Sequence, residues 1–583
     1  MNMKFESLPN EMLFEIFEYL DALHLLGAFY GLNARFNKFL NDSFKLYRLD
    51  FRSVSKTNFT TVCQQHLPSI TDKIISLYLT DDDETPNLPE IFLSYNFTLD
   101  QFVHLKSLSL QLIQSHDVLS KILVQCHRLS YLTHLKLIEC VFNNEENYLV
   151  NNIWSLPKLI NCHIDDIMPN GLYFSKLSVK STSIKYLSMK NIICDLVSLT
   201  YVLEQTPCLE RFNAAIISTE KNEKLHIRTS VLIGLHLSFR GSIQTMMNLF
   251  QQLCNLRYLT LTTTYLILNG HEWQNILSQY LPKVELFRLK MDFHFPQGNN
   301  IECKIDELLD TFQTHFWIIK HRWFVRCDWN PSNAFNQASL YTLPYAFDDL
   351  NFISESNSKS TCPNKHDFSC YNHVRTLQIE STASNHFVYF PIQFSNISHL
   401  EIFLPFNEQF LCNIPSLDRL KSLDVTLLPG DTVYDQLQLL LDRAPRLHLL
   451  RFSHLSDLSD LESRLFEIHN ASIRRLEFFT KESMLYSWYF DKQQCLSLAN
   501  SSLGRQCQTL VVDVNDRNNV NDLIKNMKNL QSLVCQCKED KWTHRKISSV
   551  NDEFIQWLTE HLPSTCSISR NAYENSIIQM WIR

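Results

Sequence analysis

Leu132-Thr133-His134-Leu135-Lys136-Leu137 decides how this chain is read. Its leucines fall as apolar-x-x-apolar-x-apolar. The second half alternates, so a strand there sends Leu135 and Leu137 to one face and His134 and Lys136 to the other. The phrase occurs upstream as Leu105-x-x-Leu108-x-Leu110, with a first copy at Ile74-x-x-Leu77-x-Leu79. Downstream it returns as Leu159-x-x-Cys162-x-Ile164, Ile184-x-x-Leu187-x-Met189, Leu209-x-x-Phe212-x-Ala214, Leu232-x-x-Leu235-x-Leu237, Leu256-x-x-Leu259-x-Leu261 and Val284-x-x-Phe287-x-Leu289. After a gap it resumes at Val374, Ile397, Leu420, Leu447 and Ile473, with weaker copies opening at Cys507 and Leu530. The middle positions from 108 to 287 are spaced by 27, 27, 25, 25, 23, 24 and 28 residues. Such a period marks a repeat architecture, in which no unit can bury its own apolar side and stacked neighbours share one core.

The spacers read as helices. Ser242–Leu253 opens with a capping serine and carries Met246, Met247, Leu249, Phe250 and Leu253 at helical spacing. His271–Tyr280, Val433–Arg443 and Val520–Lys528 read alike, and Pro207, Pro282 and Pro445 mark helix stops. On these features the sequence from Ile74 to Cys535 resembles the leucine-rich repeat family, with Cys140 where that family usually has Asn. The resemblance implies an α/β leucine-rich-repeat solenoid over residues 52–583: a horseshoe with parallel strands on its concave face and helices outside. The leucines are core. Client binding then falls to the x positions of the concave face, with Lys136, Tyr258, Arg288, Glu380, Glu401, Asp424, Arg451 and Arg475 as candidates and Glu477 beside them. Their mixed sign gives no basic stripe, so nucleic acid is not an expected partner.

The repeat is lost at about residues 293–372, read as an insertion or two degenerate repeats. Asp306–Phe316 suggests a helix, Trp317–Trp329 a strand and Ser354–Ser369 a surface loop, and the segment is a candidate client-contacting flap. Cys362-x3-His366-x3-Cys370-x2-His373 places four zinc-type ligands within twelve residues, but the order departs from common finger spacings, and no metal or other cofactor is expected.

Before the repeats, Leu8-Pro9-Asn10-Glu11-Met12-Leu13-Phe14-Glu15-Ile16-Phe17-Glu18-Tyr19-Leu20-Asp21 reads as a helix with Pro9 in its first turn. Leu13, Ile16, Phe17 and Leu20 form one apolar stripe and Phe14 lies off it, so the helix needs two partners. With Leu25 and the trailing Phe36, Asp42 and Tyr47-Arg48-Leu49, residues 3–51 resemble the F-box, although Asn33-Ala34-Arg35-Phe36 stands where that family has Cys-Arg-x-Trp. The resemblance implies a three-helix module that docks on a Skp-type linker and cullin through Leu8, Pro9, Leu13, Ile16, Phe17 and Leu20. The expected function is a substrate-recognition adaptor of an SCF-type ubiquitin ligase that holds an unknown protein client on its repeats. The alternative is a non-catalytic interaction scaffold whose N-terminal helices only cap the solenoid.

The chain has 583 residues, 45% of them hydrophobic, 39 Phe and a formal net charge of −8, so neither a basic patch nor an acidic tail dominates. No run of 18 apolar residues and no signal-peptide pattern appear, so no membrane partner is expected. An odd 17 cysteines, several inside the repeat phrase, suit a reducing intracellular compartment, cytoplasmic or nuclear. Nine glycines form no phosphate loop or nucleophile elbow, and no enzyme activity is expected.

Overall fold

The computed structural model describes residues 5–40, 47–142, 148–165, 174, 177–218, 231–295, 301–330, 337–353, 356–364, 368–380, 392–428, 430, 432–455, 462–478, 489–540, 552–571 and 574–583. Asp42 and His366 lie outside them. The chain divides into two compact units, Met1–Tyr258 with Arg583, and Leu259–Ile582.

In the first unit the alternating phrases become strands β1 (Tyr47–Asp50), β2 (Ile74–Thr80), β3 (Ser107–Gln111), β4 (His134–Ile138), β5 (Asn161–Asp165), β6 (Tyr186–Cys194), β7 (Arg211–Ile217) and β8 (Gly234–Arg240). Each pairs in parallel with the next in chain order. Leu77, Leu108, Leu135, Cys162, Leu187, Phe212 and Leu235 stand directly opposite one another from strand to strand. None is more than 5% exposed. The repeat period thus sets the register, because a one-residue slip would turn a whole leucine row to the other face. Cys140 Sγ, at the family's Asn position, donates to Leu110 O on the preceding repeat at 3.5 Å. Tyr47–Asp50, which the sequence reading put with the N-terminal helices, is the first strand of this sheet. Leu46-x-x-Leu49-x-Phe51 is a copy of the phrase, and Leu49 stands opposite Leu77 at the head of the register row.

The second unit begins within β9 (Tyr258–Thr264) and continues with β10 (Leu286–His294). The interruption contains β11 (Val325–Trp329), β12 (Gln337–Thr342), β13 (Asp349–Ile353) and β14 (Asn357–Ser360). Three of these join β10 as an antiparallel sheet in the order β10-β12-β11-β14. The parallel pattern restarts at β13 and runs through β15 (Thr376–Glu380), β16 (His399–Leu404), β17 (Ser422–Leu427), β18 (Leu449–Leu455) and β19 (Arg475–Phe478). Beyond the short strand β20 (Tyr489–Phe490) it continues through β21 (Thr509–Val511), then past β22 (Asp513–Val514) to β23 (Ser532–Gln536). Two antiparallel strands, β24 (Ser567–Arg570) and β25 (Ile577–Trp581), close that edge. Leu350, Leu377, Leu400, Leu423, Leu450, Leu476, Leu510 and Leu533 form the second register row. Its first member belongs to Phe347-x-x-Leu350-x-Phe352, a copy of the phrase that the sequence reading passed over. Parallel-rich α/β sheets of this kind are compatible with a repeat solenoid.

The expected spacer helices form as Ile243–Gln251, Gly270–Tyr280, Val433–Asp442 and Arg517–Asn526. Ser242 Oγ accepts the Thr245 N–H at 3.2 Å, and Asn269 and Glu272 make a reciprocal capping box. In the interruption the helix spans Ile301–Asp310 rather than 306–316. Phe316–His321 is a π-helical turn where a strand was expected, and the strand begins only at Val325. The reason is tertiary. Trp317 is fully buried, lies with its ring tilted 4.8 Å from Phe312, and donates its indole N–H to Gly270 O at 3.0 Å. Those contacts outweigh the β-preference of an aromatic run. The expected surface loop at 354–369 contains β14. Among the described residues no helix is long and apolar enough to cross a membrane.

Candidate functional site

Among the described residues three α-helices precede β1: α1 (Asn10–Glu18), α2 (Ala22–Phe29) and α3 (Ala34–Lys38). Asp21 caps α2 by accepting the His24 N–H at 2.9 Å, and Asn33 caps α3 by accepting the Phe36 N–H at 2.9 Å. Phe17 lies 4.7 Å from Phe29 and 5.5 Å from Phe39, and Phe29 lies 5.4 Å from Phe36. Phe36 is 1% exposed and fills an aromatic slot in this small core. Arg35 ties the third helix to the start of the first, donating to the carbonyls of Glu6 and Leu8 and to Asn10 Oδ1.

The stripe predicted on α1 is split by this packing. Leu13 and Phe17 are fully buried. Ile16 and Leu20 are 36% and 37% exposed, in line with Met12 at 48%, Tyr19 at 90% and, from the loop before α3, Leu32 at 57%. Met12, Ile16 and Tyr19 follow i, i+4, i+7, so the exposed residues make a second apolar stripe beside the one facing the helices' own core. Pro9 is exposed at the head of α1, and Leu8 is half-buried. On α2, Ala22, Leu25 and Leu26 are buried, and the Tyr30 ring that follows lies 4.3 Å from His66.

The x positions of the strands lie on the face away from the leucine rows. In the first unit Lys136 is exposed, with Ser109 on one side and His163 on the other. Burial, and then the charge of Lys136, lower the pKa of His163, which keeps it neutral near pH 7. Tyr258 is 39% exposed and belongs to a feature the sequence did not signal. The Arg211 guanidinium sits 5.9 Å from both the Tyr186 and the Tyr258 ring centres. Gly234 stands opposite Arg211, and a Cβ there would come 3.2 Å from Arg211 Cγ, so glycine leaves room for the arginine between the two rings.

In the second unit Arg288 is half-buried on β10. Glu380 ends β15, and its side chain lies outside the described residues. Glu401, Asp424, Arg451 and Glu477 occupy one register row across β16 to β19. Asp424 is fully buried and Glu477 is 4% exposed. Arg451 donates from Nε to Glu477 Oε2 at 2.5 Å and from Nη1 to Asp424 Oδ2 at 3.4 Å, while Arg475 donates from Nε to Glu477 Oε1 at 2.5 Å. Burial pushes the Glu477 carboxyl up, but the charges and hydrogen bonds of Arg475 and Arg451 outweigh it and hold the pKa below its ordinary value. Three of the expected client-binding residues, Asp424, Arg451 and Arg475, are therefore brought together around an internal acid. Ordinary contact pairs long side chains this way wherever register stacks opposite charges, and the strand periodicity could not say which charges would meet.

Among the described residues no three His, Cys, Asp or Glu side chains are grouped to hold a metal ion.

No family model and no curated protein matches the chain. Among solved structures it is similar to a chain in the crystal structure of the Rad7 and Elc1 complex in yeast, at 12% identity over 77% of this chain and 84% of that chain, with a TM-score of 0.23.

Proposed function

We propose that this chain is a non-enzymatic recognition subunit of an SCF-type ubiquitin ligase, an F-box module followed by a leucine-rich-repeat horseshoe. One observation carries the reading: the first helix packs Leu13 and Phe17 into its own three-helix core while Met12, Ile16, Tyr19 and Leu20 remain exposed as a second apolar face. A helix that served only as a cap would have no use for that second face, which costs solvation and solubility unless a partner covers it. The sequence resemblance to the F-box supplies the partner, a Skp-type linker, with cullin beyond it. Catalysis is then a matter of proximity, the assembled ligase raising the local concentration of client lysines near the ubiquitin-loaded enzyme.

The test is co-purification of the full chain with a Skp-type linker and cullin, compared with Ile16→Asp and with Pro9→Ala. A charge at a residue buried in a complex abolishes binding, because an unpaired ion loses its water. Ile16 is exposed in the free chain, so the Asp variant should melt within about 1 °C of the parent. Loss of linker binding with the melt unchanged supports the adaptor. Absence of binding by the parent chain removes it.

A further inference from the structure

One edge of the second unit carries a charge that its concave face does not share. At the entry to the parallel strands the backbone links one residue of each repeat to the next. Ser398 donates its N–H to Arg375 O, Lys421 to Ser398 O and His448 to Lys421 O at 2.9 Å each, and Arg474 to His448 O at 3.0 Å. These five residues are therefore neighbours along one row, a strand spacing of about 4.8 Å apart. Arg419 and Arg446 stand two residues before Lys421 and His448, beside the fully buried Leu420 and Leu447. Arg375, Arg419, Lys421 and Arg446 are exposed, and Arg474 is half-buried.

The charge of this edge is held in place without being neutralised. Arg375 donates to Asn396 O at 3.0 Å, Arg419 to Asn396 Oδ1 at 2.6 Å, and Arg474 to the carbonyls of Ala471 and Ile473 at 2.8 and 2.9 Å. Those acceptors are uncharged, so they orient the guanidinium groups, leave N–H donors over and cancel no charge. Among the described residues none of the five cations pairs with a carboxylate, although Asp348 heads the row and Asp418 adjoins Arg419. Away from this edge the unit pairs its arginines: Arg451 and Arg475 with Glu477, and Arg570 with Asp540 and Asp552. Nor does the fold require cations at the row. In the first unit the equivalent row includes Thr133, Ile160 and Ile233, and its Lys185 bonds its Glu210 at 2.8 Å. A chain of net charge −8 that gathers unpaired positive charge along one edge gives that edge a field of its own.

We propose that this edge binds an extended acidic segment of another protein. Arg375 and Lys421 lie two strand spacings apart, about 10 Å, and so do Lys421 and Arg474. A peptide in the polyproline II form returns every third side chain to one side at about 9 Å, so carboxylates at that interval meet the three cations in turn, with Arg419 and Arg446 beside them. Guanidinium groups take carboxylates through paired, charge-assisted hydrogen bonds. Nucleic acid is the poorer match. Among the described residues the edge presents no exposed Phe, Tyr or Trp on which a base could stack, and a long polyanion meets the net negative charge of the whole chain. The surface is built from the second unit alone, so the proposal stands with or without the adaptor reading.

The experiment titrates a labelled, capped peptide of repeated Glu-Pro-Pro with the full chain and follows its fluorescence anisotropy. The peptide should bind saturably, and its glutamine isostere, repeated Gln-Pro-Pro, about tenfold more weakly. Raising the salt from about 50 to about 200 mM should weaken the glutamate peptide several-fold. Lys421→Gln combined with Arg446→Gln should weaken it at least about fivefold. Neither side chain has a hydrogen-bond or ion-pair partner among the described residues, so this variant should melt within about 1 °C of the parent. Lys106→Gln combined with Lys121→Gln, at two exposed lysines of the first unit, removes the same charge and should change binding by less than about twofold. Equal binding of the two peptides, undiminished binding by the Lys421 and Arg446 variant, or an equal loss in the Lys106 and Lys121 variant overturns the proposal. A single-stranded oligonucleotide of the same charge is the rival probe. If it binds as tightly as the glutamate peptide, the edge is a nucleic-acid surface and the peptide assignment falls.

Discussion

Replacing Glu477 by glutamine isolates the ionic row of the second unit. The carboxylate is 4% exposed and is held by Arg451 and Arg475 at 2.5 Å each. Removing one partner of a buried pair costs about 3–5 kcal/mol when the remaining charge is stranded. Here the loss is smaller. The Arg451 side chain is 27% exposed and keeps Asp424, and glutamine still offers a carbonyl acceptor. About 2 kcal/mol is the resulting expectation at pH 7. For a unit of roughly 300 residues this is a fall of about 3 °C in its melting temperature. The pH dependence is diagnostic. The folded pKa of Glu477 is depressed, so its stabilisation is complete above the unfolded glutamate value of about 4.3 and is lost as pH falls through the lower folded value. Calorimetric melts of parent and Glu477→Gln should therefore differ at pH 7 and converge below about pH 4. Arg451→Met in both backgrounds completes a double-mutant cycle and should show coupling of at least about 0.5 kcal/mol. A difference below about 1 °C at pH 7, or one unchanged at acid pH, would refute the claim that the arginines are committed internally and would return them to the pool of client-binding groups.

Other expectations test different layers. Leu423→Ala, at a fully buried point of the second register row, should destabilise by about 2–5 kcal/mol in urea melts. Gly270→Ala should be nearly as damaging, since its Cβ would lie 2.2 Å from the Thr311 carbonyl oxygen; a melt shifted by less than 1 °C would contradict the close approach of these segments. Thiol labelling at pH 8 followed by mass mapping should modify Cys254, Cys303, Cys370 and Cys412 first. Burial pushes Cys126, Cys162 and Cys507 up to about 12, so these should react only on unfolding. Gly234→Val should crowd Arg211 out from between Tyr186 and Tyr258, and a client that uses those rings would then dissociate several-fold faster in surface binding measurements.

How far each level could be read follows from what fixes it. The repeat phrase determined the strands, their core-facing sides and even their register, because a hydrophobic period of two combined with a spacing near 25 residues admits only one alignment that buries every leucine. Capping residues such as Ser242 and the Asn269–Glu272 pair likewise act within one turn of chain, and helix starts were legible to within a few residues. Nonlocal contacts lay beyond it. Trp317 is helical rather than extended because the Gly270 carbonyl, 47 residues away in the chain, receives its N–H while nearby Phe312 receives its ring. The stripe on α1 divides between Leu13 and Phe17 inside and Ile16 and Leu20 outside because the aromatic cluster of Phe29, Phe36 and Phe39 covers only one side. Periodicity names the apolar residues of a helix but not which of them its neighbours will reach. The same limit hid the charge pairing of Arg451 with Glu477. The sequence alone determined which side chains leave water and at what interval. Only tertiary pairing decided which polar groups meet, because charges and donors find partners across strands that sequence distance does not order.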